Sequence, residues 1–268
     1  MWKENLCKNV WGIEYIGIAT GDSTFGLCRV IFSRLVRTHR QLRNKSLRMI
    51  HRRDCRDFGI YQCVTDPVSK YLPAAVRMPE RNGRQITLAD LSTHRYGLPP
   101  MPTNFAPKNP SNPYVDYTVQ QLYDFLSGYK LERDIGAEYE YSNLGAGLLG
   151  TRSRCALACA ARRWCARICD LLGMTNTRMT FTPEMKERFA VGHNSDLNLV
   201  PNWDIPTLAG AGAFRSTAND ILTFLAANLD FVETPLSPAM EDAISIRRPG
   251  ENSDTKMAYG WEVATKTV

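Results

Sequence analysis

No run of about 18 consecutive apolar residues occurs in this chain of 268 residues, which excludes a membrane-spanning helix. Internal repeats are absent too. Nor is there the compositional bias of a disordered, collagen-like or coiled-coil protein, since 44% of the residues are hydrophobic and 22% charged. A secretory signal is not read at the start. Lys3 and Lys8 are there, but Glu14 interrupts the apolar stretch and no clear cleavage site precedes Gly21. What is present is enough chain for one large domain, or a domain with a smaller lobe.

A net charge of +6 and eight cysteines suggest, at first sight, a basic and thiol-rich protein that binds nucleic acid. The distribution argues otherwise. Residues 27–63 hold nine Arg, one Lys and two Asp, a net +8, and residues 151–169 hold five Arg and no acid, a net +5. The remainder therefore carries −7. Seven of the eight cysteines (Cys28, Cys55, Cys63, Cys155, Cys159, Cys165 and Cys169) lie in the same two segments. The chain reads as an acidic protein with two basic, Cys/Arg-rich segments of different character.

Outside those segments the local signals agree. Thr87 with Asp90, and Thr118 with Gln121, form capping-box patterns ahead of helices. Val119, Leu122, Tyr123 and Leu126 make the apolar stripe of the second. Thr182-Pro183 and Ser237-Pro238 read as a cap followed by Pro at the first helical position. Thr217 starts a further helix, with Ile221, Leu222, Leu225 and Leu229 expected on its buried side. Pro99 to Pro113 holds six prolines and no periodicity, so an ordered loop or lid is expected. A strand is expected over Tyr259 to Val263.

Three stretches carry a chemical pattern. They are Ile86-Thr87-Leu88-Ala89-Asp90-Leu91-Ser92-Thr93-His94 with Gly97-Leu98-Pro99, then Tyr141-Ser142-Asn143-Leu144-Gly145 with Gly147 and Gly150, then Gly210 to Asp220. Asp66-Pro67 to Pro73 and Leu171-Leu172-Gly173-Met174-Thr175-Asn176-Thr177 support them. In this order the set resembles the serine β-lactamase/penicillin-binding protein family, on the branch of class C β-lactamases, D-Ala-D-Ala carboxypeptidases and esterases. The resemblance covers roughly residues 64–150 and 168–263.

That resemblance implies acyl transfer through a serine ester, with no cofactor and no metal. It makes Tyr141 the proton-transfer group and Asn143 the amide that orients lysine and substrate. A phenol with an ordinary pKa near ~10 needs cationic neighbours to act as a base at neutral pH. The residue-level alternative is a plain turn ahead of a Gly-rich helix, with Tyr141 half-buried. His94 is read as structural, and His193 as a surface loop residue.

Two parts of the pattern are missing from where they are expected. If Phe25 marks the register, Arg29 stands in place of the nucleophilic Ser and Phe32 in place of its Lys, so no nucleophile is identified. Ser127/Lys130 and Ser253/Lys256 match S-x-x-K but fall at the wrong places in the order. Lys266-Thr267 resembles the start of a K-T-G strand but follows Trp261 too closely. A reading-frame slip in GC-rich coding DNA would account for both basic segments, a hypothesis that sequencing the gene tests.

The resemblance implies an α+β fold: a helical lobe with an antiparallel sheet, incomplete here. The expected division is residues 1–63, N-terminal strands and the basic segment; 64–230, the helical lobe with Tyr141-x-Asn143; and 231–268, the start of a returning α/β part, truncated. Unpaired edges and exposed apolar surface predict poor solubility. The expected activity is that of a serine hydrolase acting on β-lactams or D-Ala peptides, impaired in this chain. The partner is then a small-molecule or peptide substrate, and nucleic acid is disfavoured. The alternatives are a small-ester hydrolase, or a module that binds zinc or nucleic acid through Cys155, Cys159, Cys165, Cys169 and the arginines. The family works outside the cytoplasm, and the location of this chain is left open.

Overall fold

The computed structural model describes residues 64–150 and 166–264. The basic segment 27–63, the position of the missing nucleophile, residues 151–165 with three of the cysteines, and Lys266-Thr267 lie outside the described residues.

Helices start where the sequence supplies a side-chain acceptor for orphan backbone N–H groups. Thr87 accepts from the Asp90 N–H and Asp90 returns the bond to the Thr87 N–H, opening α1 (Leu88–Ser92). Thr118 and Gln121 do the same for α2 (Val119–Gly128), which buries Leu122, Phe125 and Leu126. Ser142 caps α3 (Asn143–Leu149) by accepting from the Gly145 N–H. Residues 166–172 are helical and are labelled α4. Thr182 caps α5 (Pro183–Glu187), and Thr217 caps α6 (Ala218–Asn228). At α7 (Ser237–Ser245) the expectation fails by one residue. Leu236 is the cap, without a side-chain bond, and Ser237 is already inside the helix.

Three small antiparallel sheets accompany the helices, an α+β arrangement. β1 (Glu80–Arg81) and β2 (Arg84–Gln85) are joined by Asn82 and Gly83, both at positive φ (52° and 71°), as a tight two-residue hairpin turn requires. β3 (Gly192–His193) pairs with β4 (Leu199–Val200). β5 (Arg248–Pro249), β6 (Thr255–Ala258) and β7 (Trp261–Ala264) form a three-stranded sheet in that order. The strand expected from Tyr259 starts later, because Tyr259 and Gly260 form the β6–β7 turn, with Gly260 at φ 73°. The Gly260 N–H donates to Ser92 O and fastens this hairpin to α1.

The main core gathers Ile86, Leu88, Leu91, Tyr96, Leu98, Leu122, Leu126, Leu144, Leu148 and Leu208. Each such leucine contributes about 1.5–3 kcal/mol by leaving water. α3 meets the 3₁₀ turn Ala209–Ala211 almost backbone to backbone. A Cβ on Gly147 would lie 2.6 Å from Leu208 Cδ2, and one on Gly210 would lie 2.3 Å from Ala146 O, so only glycine fits at either place. α6 departs from its expected burial. Leu222 is 46% exposed, and only Asp220 and Ala227 of this helix are buried.

Asp90 joins distant parts of the chain. Its carboxylate is fully buried and takes donors from the Thr87 N–H and hydroxyl, from Arg84 at 2.9 Å and from Arg248 at 2.8 Å. A buried carboxylate persists when its lone pairs are matched in this way. Arg95 repeats the link, donating to the Gly136, Ala137 and Pro249 carbonyls.

Candidate active site

The Tyr141-Ser142-Asn143 stretch is held by its middle residue. Ser142 is fully buried with extended backbone (φ −153°, ψ 127°), so its two neighbours project away from it on the other side. Its N–H donates to His94 Nδ1 at 3.2 Å. Its hydroxyl donates to the Pro100 carbonyl at 2.9 Å and accepts from the Gly145 N–H at 3.3 Å. One buried serine thus pins the turn to the loop below and caps α3 above.

His94 completes the support. It sits at φ 53°, and its own carbonyl accepts from the Glu140 N–H at 2.9 Å. Its ring lies 4.9 Å from the Tyr141 ring and 5.9 Å from the Tyr139 ring, centroid to centroid. Burial, by penalising the charged form, lowers the imidazole pKa to about 4. The ring is therefore neutral at neutral pH. Because Nδ1 accepts from Ser142, its proton is on Nε2. Tyr96 fills the space under α3, where a Cβ on Gly145 would lie 2.3 Å from its hydroxyl oxygen. Burial raises the Tyr96 pKa, which keeps it a phenol.

The two expected site residues are hydrogen-bonded to each other. The Tyr141 hydroxyl donates to Asn143 Oδ1 at 3.3 Å. Asn143 Nδ2 donates to the Tyr114 hydroxyl at 3.0 Å, and that hydroxyl points on to Met101 Sδ at 3.9 Å. Tyr114 is the residue that sequence reasoning missed. It comes from the irregular segment after the proline-rich stretch, where no periodicity marks it. Its ring packs on Phe105 (5.2 Å) and Trp203 (5.6 Å). Asn112 and Asp204 clasp these two loops by a reciprocal pair of hydrogen bonds, at 3.0 and 2.8 Å.

Two of the remaining pattern pieces are bonded to each other. Asp220, from the third stretch, accepts from the Asn176 N–H at 2.9 Å and from the Thr177 hydroxyl at 2.8 Å, locking the Leu171–Thr177 piece to the start of α6. The two serines that match S-x-x-K lie in other parts of the fold. Ser127 is in the last turn of α2 and accepts from the Arg77 N–H, and Ser253 sits before β6 and donates to Asp254. His193 is exposed and lies in β3 opposite Leu199 rather than in a loop. Cys169 is buried against Met174 in a small apolar cluster with Leu172, Phe214 and Phe224. Among the described residues no group of three or more His, Cys, Asp or Glu side chains is placed to hold a metal ion.

Known proteins resemble this chain in sequence and in fold. The D-alanyl-D-alanine-carboxypeptidase/endopeptidase AmpH of Escherichia coli (strain K12) is 32% identical over 167 residues, which is 60% of this chain and 41% of that protein. A beta-lactamase of Lysobacter lactamgenus is 27% identical over 207 residues, 74% of this chain and 49% of that one. The chain spans less than half the length of both relatives. Among solved structures, a beta-lactamase/D-alanine carboxypeptidase from Yersinia pestis complexed with citrate matches with a TM-score of 0.59 at 23% identity, covering 80% of this chain and 63% of that one. A class C beta lactamase from Rhodobacter sphaeroides gives 0.58 at 23% identity, over 78% and 56%. These structures establish a common β-lactamase/DD-peptidase fold. The family model for beta-lactamase matches residues 64–268, the part that holds the capped helices and the pinned Tyr141-Ser142-Asn143 turn, and the chain belongs to the beta-lactamase family.

Proposed function

We propose that this chain carries the scaffold for acyl transfer through a serine ester, with Tyr141 as the proton-transfer group and Asn143 as the orienting amide. The observation that carries the reading is the 3.3 Å hydrogen bond from Tyr141 to Asn143 Oδ1 at the start of α3. Around it the backbone is fixed by Ser142 and His94, so the phenol oxygen and the amide meet a substrate in one arrangement. Such fixed placement supplies much of an enzyme's rate. The substrate class is a β-lactam or a peptide ending in D-Ala, in keeping with the carboxypeptidase/endopeptidase and β-lactamase relatives.

We also propose that turnover is impaired. With Arg29 and Phe32 where Ser and Lys are expected, no activated serine is in register. Loss of an activated serine costs on the order of 10⁶ in kcat in the well-studied subtilisin case. The test is incubation with a fluorescent penicillin followed by intact-mass and peptide mapping. The expected outcome is no covalent adduct. A stoichiometric adduct on a serine would overturn the impairment and identify the nucleophile at once.

A further inference from the structure

Arg215 belongs to the third patterned stretch and precedes α6. It lines a surface cavity together with Arg188, Met185, Phe189, Asn176 and Ser216. Its backbone is tied to Arg178 by a reciprocal pair of hydrogen bonds at 2.7 and 2.9 Å, which sets the start of α6 beside the segment leading into α5. Thr182 then caps α5, which supplies Met185 and ends on Arg188. Short-range signals thus bring two arginines from separate segments to one opening.

Both guanidinium groups are held in place. Arg215 donates to the Trp203 and Gly212 carbonyls, and its guanidinium carbon lies 5.6 Å from the centroid of the Phe181 ring. Phe181 meets Phe189 edge to face at 4.5 Å, so the ring that carries Arg215 and the ring that lines the cavity support each other. Arg188 donates to Asn176 Oδ1 at 2.8 Å. These acceptors are neutral, and a guanidinium has five N–H donors to share. Asp204 acts electrostatically on Arg215, as Arg188 does on Glu184, but neither carboxylate lines the cavity. The Ser216 hydroxyl is 2.7 Å from Thr177, whose own proton goes to Asp220, so Ser216 gives its proton to Thr177. The arginines are therefore the donors that face an incoming molecule. Burial disfavours the charge on Arg215, and an anion beside it would offset that cost.

We propose that this cavity binds an organic carboxylate with an apolar body, the carboxylate taken by Arg188 and Arg215 and the body seated on Met185 and Phe189. The planar fork of a guanidinium matches a carboxylate. Apolar lining with a few charged donors is the usual make-up of a small-molecule site. The inference is independent of the role proposed for Tyr141.

The probe is benzoate, titrated into the full chain at low ionic strength. Labelling methionine with ¹³C at Cε gives each methionine a methyl signal, and Met185 is assigned by its loss in Met185→Leu. We expect the Met185 signal to shift saturably with a Kd on the order of 1 mM. Benzyl alcohol has the ring without the charge, and is expected not to saturate. Acetate has the charge without the ring, and is expected to bind about fivefold more weakly or worse. Arg188→Gln should weaken benzoate about fivefold and Arg215→Gln about tenfold, the larger loss falling on the half-buried group. The other methionine signals report whether each variant folds. If Arg215→Gln does not, the exposed Arg188 decides alone. The proposal is overturned by a Met185 signal that does not saturate, by benzyl alcohol or acetate binding as well as benzoate, by inorganic phosphate binding more tightly than benzoate, or by a loss under about twofold in a folded arginine variant.

Discussion

Residues 64–150 and residues 166–264 both start helices on side-chain caps but are packed very differently. Thr87, Thr118 and Ser142 cap helices in the first part, and Thr182 and Thr217 cap them in the second. Yet of the largest fully buried side chains only Leu208 and Met257 come from the second part. Leu171, Val191, Leu197, Leu199, Trp203, Leu222, Phe231 and Val232 in that part are exposed, against Val64 and Val115 in the first. A cap decides where a helix starts, and it says nothing of what the helix lies against. The Tyr141 turn belongs to the part where packing and capping agree, which is why its backbone is so fully determined.

Three experiments break or sharpen this contrast. The largest effect is expected where the two parts are joined. Asp90→Ala removes the α1 capping box and the acceptor shared by Arg84 and Arg248. Both arginines are partly exposed (49% and 26%), so the loss is put at about 3 kcal/mol rather than the full cost of stranding a buried charge. Urea denaturation measures it, and a change under about 1 kcal/mol would show that the junction carries little. Next comes a paired comparison. Leu126→Ala, at a fully buried site, is expected to cost about 3 kcal/mol, and Leu222→Ala under ~0.5 kcal/mol. Equal losses at both sites would mean that the contrast in burial is not a contrast in stability.

The smallest effect is a loss of stability that sets in only on acidification. His94 has a pKa lowered from 6.5 to about 4 by burial, so the unfolded chain binds this proton first. Its contribution to stability is present above pH 6.5, shrinks as the pH falls, and is lost once the pH has passed through about 4. His94→Asn keeps a residue tolerant of φ 53° and an acceptor on the side chain. It should flatten the difference in stability between pH 7 and pH 4 relative to the parent chain. An unaltered slope would show that this imidazole does not couple to folding.

What could be read from the sequence was local. Capping boxes at Thr87 and Thr118 act over three residues, so they were legible, and so were the β-lactamase-like order of the three stretches and the α+β class. Ser237-Pro238 misled, because two consecutive residues that favour a helix start do not fix which of them is the cap. Leu222 misled because periodicity identifies a stripe and not the surface opposite it. Asp90 with Arg248 spans 158 residues of sequence, and Tyr114 reaches Asn143 from 29 residues upstream out of a segment without pattern. Neither pairing has a local signature. The proposed site was therefore half legible: Tyr141 and Asn143 through a motif, their contact with Tyr114 and the anchoring role of Ser142 only through tertiary structure.

The glycine seam between α3 and the Ala209–Ala211 turn has a consequence for how such a protein ages. Main-chain atoms, with only Leu208 between them, set the spacing there. Substitutions that erase a nucleophile or a base elsewhere leave that spacing untouched. A lineage can therefore exchange residues around its chemistry while the spacing of this seam endures.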